Sequence, residues 1–229
     1  MKKIVLITLL CLGLTVANAN ELPKFAFKQY TISEDSDDKV HKLIKEGSQL
    51  VFPEPIKARV LLVNALSLIS KGAKINEYDY LWIQYGLMKS SMQSGSSTYG
   101  PGTKEDYLHI ARMVLKFLEH SKGTGDWIFT EKGAFKMEVC REAGNGLGWT
   151  MMEEGFALDE ALSYVNKAVE CMRGDEDNFI FDTKVRILLK MKRDNDAYKL
   201  VKSVLDQNSD FVDFQDIKNS NEYNKWLKK

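Results

Sequence analysis

The chain has 229 residues, with 32 basic and 32 acidic side chains and 44% hydrophobic residues. That balance excludes the concentrated positive field on which nucleic-acid binding depends. The length is enough for one domain with a substantial core.

Lys2 and Lys3 precede an uncharged, mostly apolar run from Ile4 to Val16, which is followed by Ala17-Asn18-Ala19. A positive end, a short apolar core and a small-x-small triplet in that order read as a secretory signal, with cleavage expected after Ala19. The run is too short for the roughly 20 residues of a membrane-spanning helix. Cys11 lies inside the apolar core behind Leu10, where a lipoprotein signal has a small residue. The mature chain is expected to be soluble, in the periplasm or secreted, with a net charge of about −2. It contains no second run of spanning length, so no stable membrane insertion is expected. It keeps Cys140 and Cys171, an even count that an oxidising compartment allows to pair.

Residues 20–36 read as an extended segment. Phe25, Phe27, Tyr30 and Ile32 are apolar but their alternation breaks, and either a short edge strand or a strap lying on helices fits. From 37 to 229 helical signals dominate, and a single helical domain is expected. Asp37 and Asp38 cap a helix carrying Val40, Leu43 and Ile44, with Gly47 placed to stop it. Pro55 suits the first turn of a helix through 70 that ends at Lys71-Gly72. Asn76 caps another, running to about Met92. The stretch QSGSSTYGPG at 93–102 predicts a flexible loop. Thr103 and Asp106 form a capping-box pattern with the shorter acid. The helix at 104–121 buries Leu108, Ala111, Leu115 and Leu118, and Gly123 and Gly125 end it. Helices are predicted at 135–154, 159–172, 182–192 and 195–207, with a last short one holding Tyr223, Trp226 and Leu227. No sheet emerges, and antiparallel helix pairs stacked side by side are the natural packing.

Two segments share a pattern. Leu147-Gly148 lies mid-helix, Gly155 closes that helix, and Ala161 and Ala168 stand seven apart on the next. Ala197 and Val204 repeat that spacing, and Ala197 follows Ala161 by 36 residues. The period is near the roughly 34 residues of tetratricopeptide repeats, and these residues resemble that family over about 135–229. Residues 154–169 look like its turn and second helix, 182–197 like the next repeat with Asp182 as N-cap, and 211–227 like its closing segment. Lys184 stands where leucine is usual, Lys192 where the turn glycine is usual, and Asp194 replaces an aromatic. The loop after Gly155 is one residue longer than the pattern.

The resemblance implies an all-α fold of stacked antiparallel helix pairs, an α-solenoid whose first helices line a concave binding face. Carried over, that face holds Glu142, Asn145, Trp149 and Met152 on one helical stripe, and Asp182 and Arg186 on the next repeat. Trp and Arg are frequent interaction hot spots; the competing reading of Trp149 and Met152 is core. Cys140 and Cys171 lie nearly equidistant from Phe156, at the same height of an antiparallel pair. A bond needs their Cα atoms within about 7 Å and would contribute about 3–4 kcal/mol; two buried free thiols are the alternative.

Other constellations carry less. His109 and His120 share a helical face but lie about 16 Å apart along it. Glu105 joins His109 without a third ligand, and His41 is distant in sequence, so no metal is expected. No Gly-x-Ser-x-Gly elbow occurs, and the glycines at 144–148 lack phosphate-loop spacing and point to close helix packing. No catalytic residue and no cofactor are assigned. The expected function is an exported module binding a protein or peptide partner, as an envelope adaptor or assembly factor. An immunity-type protein neutralising a toxin is the alternative, and an enzyme of unrecognised type the third.

Overall fold

The computed structural model describes residues 26, 30–91, 104–119, 131–172 and 179–228. The signal-type segment at 1–19, most of 20–29, the loop at 93–102, Thr103, His120, Gly123 and Gly125 lie outside the described residues. The elements in chain order are α1 Asp38–Leu50, α2 Pro55–Ser70, α3 Glu77–Ser90, α4 Lys104–Glu119, α5 Glu131–Glu154, α6 Leu158–Glu170, α7 Phe179–Lys190 and α8 Asp194–Gln207. A 3-10 turn at Val212–Phe214 then leads into the short helices α9 Gln215–Lys218 and α10 Asn221–Leu227. The fold is all-α; among the described residues the only β feature is the isolated bridge between Ser33 and Asn76.

Several local expectations hold. Pro55 opens α2, and the Asn76 side chain accepts the Asp79 amide at 2.8 Å. Gly155 closes α5 at φ +73°, where the Gly155 and Phe156 amides both reach the Met151 carbonyl. Lys192 takes the corresponding turn after α7 at φ +61°, a conformation that costs a residue with a Cβ about 1 kcal/mol.

Other expectations are corrected. Gly47 does not stop α1; it lies buried within that helix, and a Cβ there would meet Leu62 Cδ2 at 3.0 Å. Its role is close approach of α1 and α2. Asp37 occupies the N-cap position without a side-chain cap, because its carboxylate accepts the Lys74 amide at 3.1 Å. Asp182 is not an N-cap: α7 begins three residues earlier at Phe179, and Asp182 lies in its first turn. The side chain is buried and binds Arg186 one turn on, which a cap position outside the helix would not permit. Residues 30–36 form a strap rather than a strand. Ser33 N–H donates to Ile75 O at 2.8 Å and Asn76 N–H to Ser36 Oγ at 2.9 Å, while Tyr30 and Ile32 pack on the core.

The helices pack in chain order, each on the next from α1 through α8, and the odd-numbered helices also touch: α1 with α3, α3 with α5, α5 with α7. Orientation follows from residue pairs. Between α5 and α6, Cys140 meets Cys171, Gly144 faces Ala168 and Gly148 faces Val165, so one index rises as the other falls and the pair is antiparallel. Between α3 and α5, Tyr85 bonds Glu138 and Lys89 bonds Glu142, both at a separation of 53 residues. Trp82 stacks on Phe135 at the same separation, with centroids 4.1 Å apart. Hence α3 and α5 run parallel. So do α4 and α6, bridged by Arg112–Glu160 and Glu119–Lys167, both 48 residues apart.

One buried ion pair ties the first half together. Arg59 of α2 donates to Asp106 of α4 at 2.7 Å and to Ser91 Oγ, at the end of α3, at 2.9 Å. The two charged side chains are 5% and 10% exposed. The Asp106 carboxylate, expected in a capping box, is thus engaged by a distant arginine. Burial lowers the Arg59 pKa, and the Asp106 hydrogen bond and charge oppose that shift. Where α5 meets the end of α6, the sulfur atoms of Cys140 and Cys171 lie at disulfide distance, with Cα atoms 6.1 Å apart.

Two outcomes test this account. Arg59→Met leaves the Asp106 carboxylate buried without its arginine and is expected to lower unfolding free energy by about 3–5 kcal/mol in urea titrations. Adding Asp106→Leu should restore most of it; a double variant as unstable as the single would refute the pairing. Replacing both Cys140 and Cys171 by alanine is expected to cost about 3–4 kcal/mol, and reduced wild type should unfold at the same lower urea concentration.

Candidate binding face

The odd-numbered helices meet at a seam built from alternating rings and charges. On α3, Tyr78, Trp82, Tyr85 and Lys89 follow at spacings of four, three and four, one stripe of a 3.6-residue helix. Phe135 of α5 inserts among the three rings, stacked on Trp82 and edge-on to Tyr78 at 5.4 Å and to Tyr85 at 5.6 Å. Tyr78 and Trp82 remain half-buried. Lys132 lies 5.6 Å from the Tyr78 ring, and Lys89 sits 5.8 Å from Tyr85 and 5.7 Å from Phe52, within cation–π range. Around these rings, Glu77 binds Lys136 at 2.8 Å and Glu142 binds Lys89 at 2.5 Å.

At the outer end of the seam an apolar ridge continues onto α2. Phe52, Ile56 and Val60, four residues apart, are 68%, 60% and 44% exposed.

The residues expected on the concave face take different places. Glu142 belongs to the seam, with Lys89 as its partner. Asn145 follows on the same stripe, and its buried Oδ1 has no hydrogen-bond partner among the described residues. Trp149 is half-buried against the core, and Met152 is buried outright. Its backbone carbonyl accepts Lys190 Nζ of α7, which links the α5 stripe to the next odd helix. Asp182 and Arg186 turn elsewhere. Arg186 Nε reaches both Asp182 oxygens at 2.7 and 2.8 Å. Its Nη1 donates to the Asp216 carboxylate at 3.4 Å and its Nη2 to the Asp213 carbonyl at 3.3 Å. This pair therefore docks the C-terminal segment onto α7. The α3 stripe was absent from the sequence reading because the N-terminal half lacks repeat consensus letters. Its aromatic spacing was visible all the same; what was hidden was the parallel pairing that brings Phe135 into it.

Among the described residues no three His, Cys, Asp or Glu side chains are arranged to hold an ion. His41 is occupied by the buried Asp79 at 2.9 Å. No described helix is long and apolar enough to cross a membrane. No protein-family model matches the chain, and no curated protein or solved structure is significantly similar to it.

Two phenols of α3, Tyr85 in the seam and the buried Tyr80, make the fold pH-sensitive at the alkaline end. Burial, and secondarily Tyr30, pushes Tyr80 up to about 12. Burial, followed by the Glu142 and Glu138 carboxylates, raises Tyr85 as well. The fold favours the neutral phenols, so their contribution to stability is present below pH 10 and is lost as pH rises through the folded value, about 12 for Tyr80. Phenolate absorbance is expected to show these two tyrosines ionising only with cooperative unfolding. Tyr80→Phe should move the unfolding to higher pH, and an early, non-cooperative titration of all tyrosines would contradict the burial.

Proposed function

We propose that the chain is an exported helical-repeat module of the tetratricopeptide type that binds a protein or peptide partner along its odd-numbered helices. The observation that carries this reading is the aromatic cluster on the α3–α5 seam, in which half-buried Tyr78 and Trp82 pack on buried Phe135 and Lys132 lies over the Tyr78 ring. Trp and Tyr are among the residue types enriched at interaction hot spots.

The helix arrangement supports the same reading. Odd helices pack directly on one another, whereas α4 and α6 are joined through long ion-paired side chains. Unequal spacing of that kind bends a stack towards its closely packed side and makes a concave surface there. The parallel packing of α3 on α5, at an offset of 53 residues rather than the roughly 34 of the repeat, carries the alternation of helices into the half of the chain where no consensus letters stand. The signal-type N-terminus and the cysteine pair support export. An adaptor or assembly role in the envelope fits a face that is open and mixed in charge.

Cross-linking in the native cell envelope, followed by mass spectrometry, tests the proposal. A Trp82→Ser/Trp149→Ser variant with unchanged helicity is expected to lose about 2 kcal/mol or more of partner affinity. Undiminished recovery of the same partners by that variant would remove this face from the interaction.

A further inference from the structure

Between α6 and α8, over α7, lies a groove of about 360 Å³. Leu162, Leu188 and Leu200 give it apolar walls, one from each helix. Lys184, Arg193 and Lys199 bring three cations, against the single carboxylate of Asp196. That carboxylate is taken by Arg193, through Nη2 at 2.8 Å and Nε at 2.9 Å.

Lys184 is the unusual member. It is half-buried in α7 and lines the groove, where the repeat pattern that the sequence resembles has a leucine. A leucine would simply complete the apolar wall. The lysine instead places an ammonium there that forms no ion pair among the described residues. Burial, and then the neighbouring Arg193 charge, holds its pKa below the ordinary lysine value. Taking a cation out of water beside a second cation is unfavourable unless an anion joins them. Among the described residues Lys184 forms no ion pair and the groove's one carboxylate, that of Asp196, is held by Arg193, and the apolar walls ask for more than a bare ion.

We propose that this groove binds a small organic carboxylate, its head group on Lys184 and its apolar body against Leu162, Leu188 and Leu200. One half-buried ammonium matches a monoanion. The mixed walls match a short aliphatic or ring-bearing acid better than inorganic phosphate, which has no apolar part to bury. The site lies between even-numbered helices and does not rest on the partner-binding proposal.

Octanoate is the probe, titrated into the full mature chain and followed by leucine methyl and lysine ammonium NMR signals, with octanol and inorganic phosphate as controls. Saturable shifts confined to Leu162, Leu188 and Leu200 are expected, with a rise in the Lys184 pKa on binding. Octanol and phosphate should bind about tenfold more weakly or worse. Lys184→Met should weaken octanoate by about tenfold or more, and Lys184→Arg should largely retain it. Octanol binding as well as octanoate, or no saturable shift at these leucines, would overturn the proposal from the wild-type protein alone. Unchanged octanoate affinity in a folded Lys184→Met variant would overturn it as well.

Discussion

Close approach of helix backbones is the constraint on which this structure rests. A Cβ at Gly144 would stand 2.6 Å from the Tyr164 carbonyl oxygen, and one at Gly148 only 2.1 Å from Val165 Cγ2. No rotamer change relieves the first of these contacts, because the obstacle is backbone; α6 itself would have to move. On another side of α5, the Tyr107 hydroxyl occupies the space a Cβ of Gly146 would fill, at 1.7 Å. Thus α5 is gripped by α4 and α6 at once, and these three glycines set both distances. The first half uses the same device with a leucine: Leu62 of α2 fits into the gaps left by Gly47 of α1 and Gly86 of α3. Interiors packed to crystal-like density tolerate little change at such points.

With those distances set, polar contacts decide register. The Arg59–Asp106–Ser91 cluster joins α2, α3 and α4 at one buried point. A buried ion pair adds little net stability relative to an apolar replacement, but removing one partner is costly, so such a pair penalises misaligned packings. The seam between α3 and α5 works in the same way at its surface, where rings and ion pairs repeat at one offset. The disulfide-distance cysteines and the glycines of α5 share a geometry: only backbones this near bring two Cα atoms within 6.1 Å.

The two candidate sites follow from the same asymmetry. The α3 stripe and Phe135 form one aromatic cluster between two odd-numbered helices, and residues of α6, α7 and α8 line the groove over α7. Residues that the repeat pattern would assign to recognition, Asp182 and Arg186, hold the C-terminal segment instead. The C-terminal segment lies against this part of α7, and Asp213 and Asp216 engage the Arg186 guanidinium there.

Much of this was legible in the chain itself. Apolar spacing, Pro55, Asn76, Gly155 and the breaks between helices determined an all-α string of helix pairs, because those signals act within one or two turns. The equal height of Cys140 and Cys171 was likewise readable, since it needs only antiparallel neighbours and a turn between them. What only the tertiary structure decided is which helices lie side by side out of order. Trp82 meets Phe135, Arg59 meets Asp106, and Lys184 lines a groove made by three helices, where Arg193 holds the Asp196 carboxylate. No local spacing encodes these pairings, because they depend on backbone distances that the glycines set between elements far apart in sequence. Gly47 shows the limit most plainly: as a letter it reads as a helix stop, and in the fold it is the gap into which Leu62 fits.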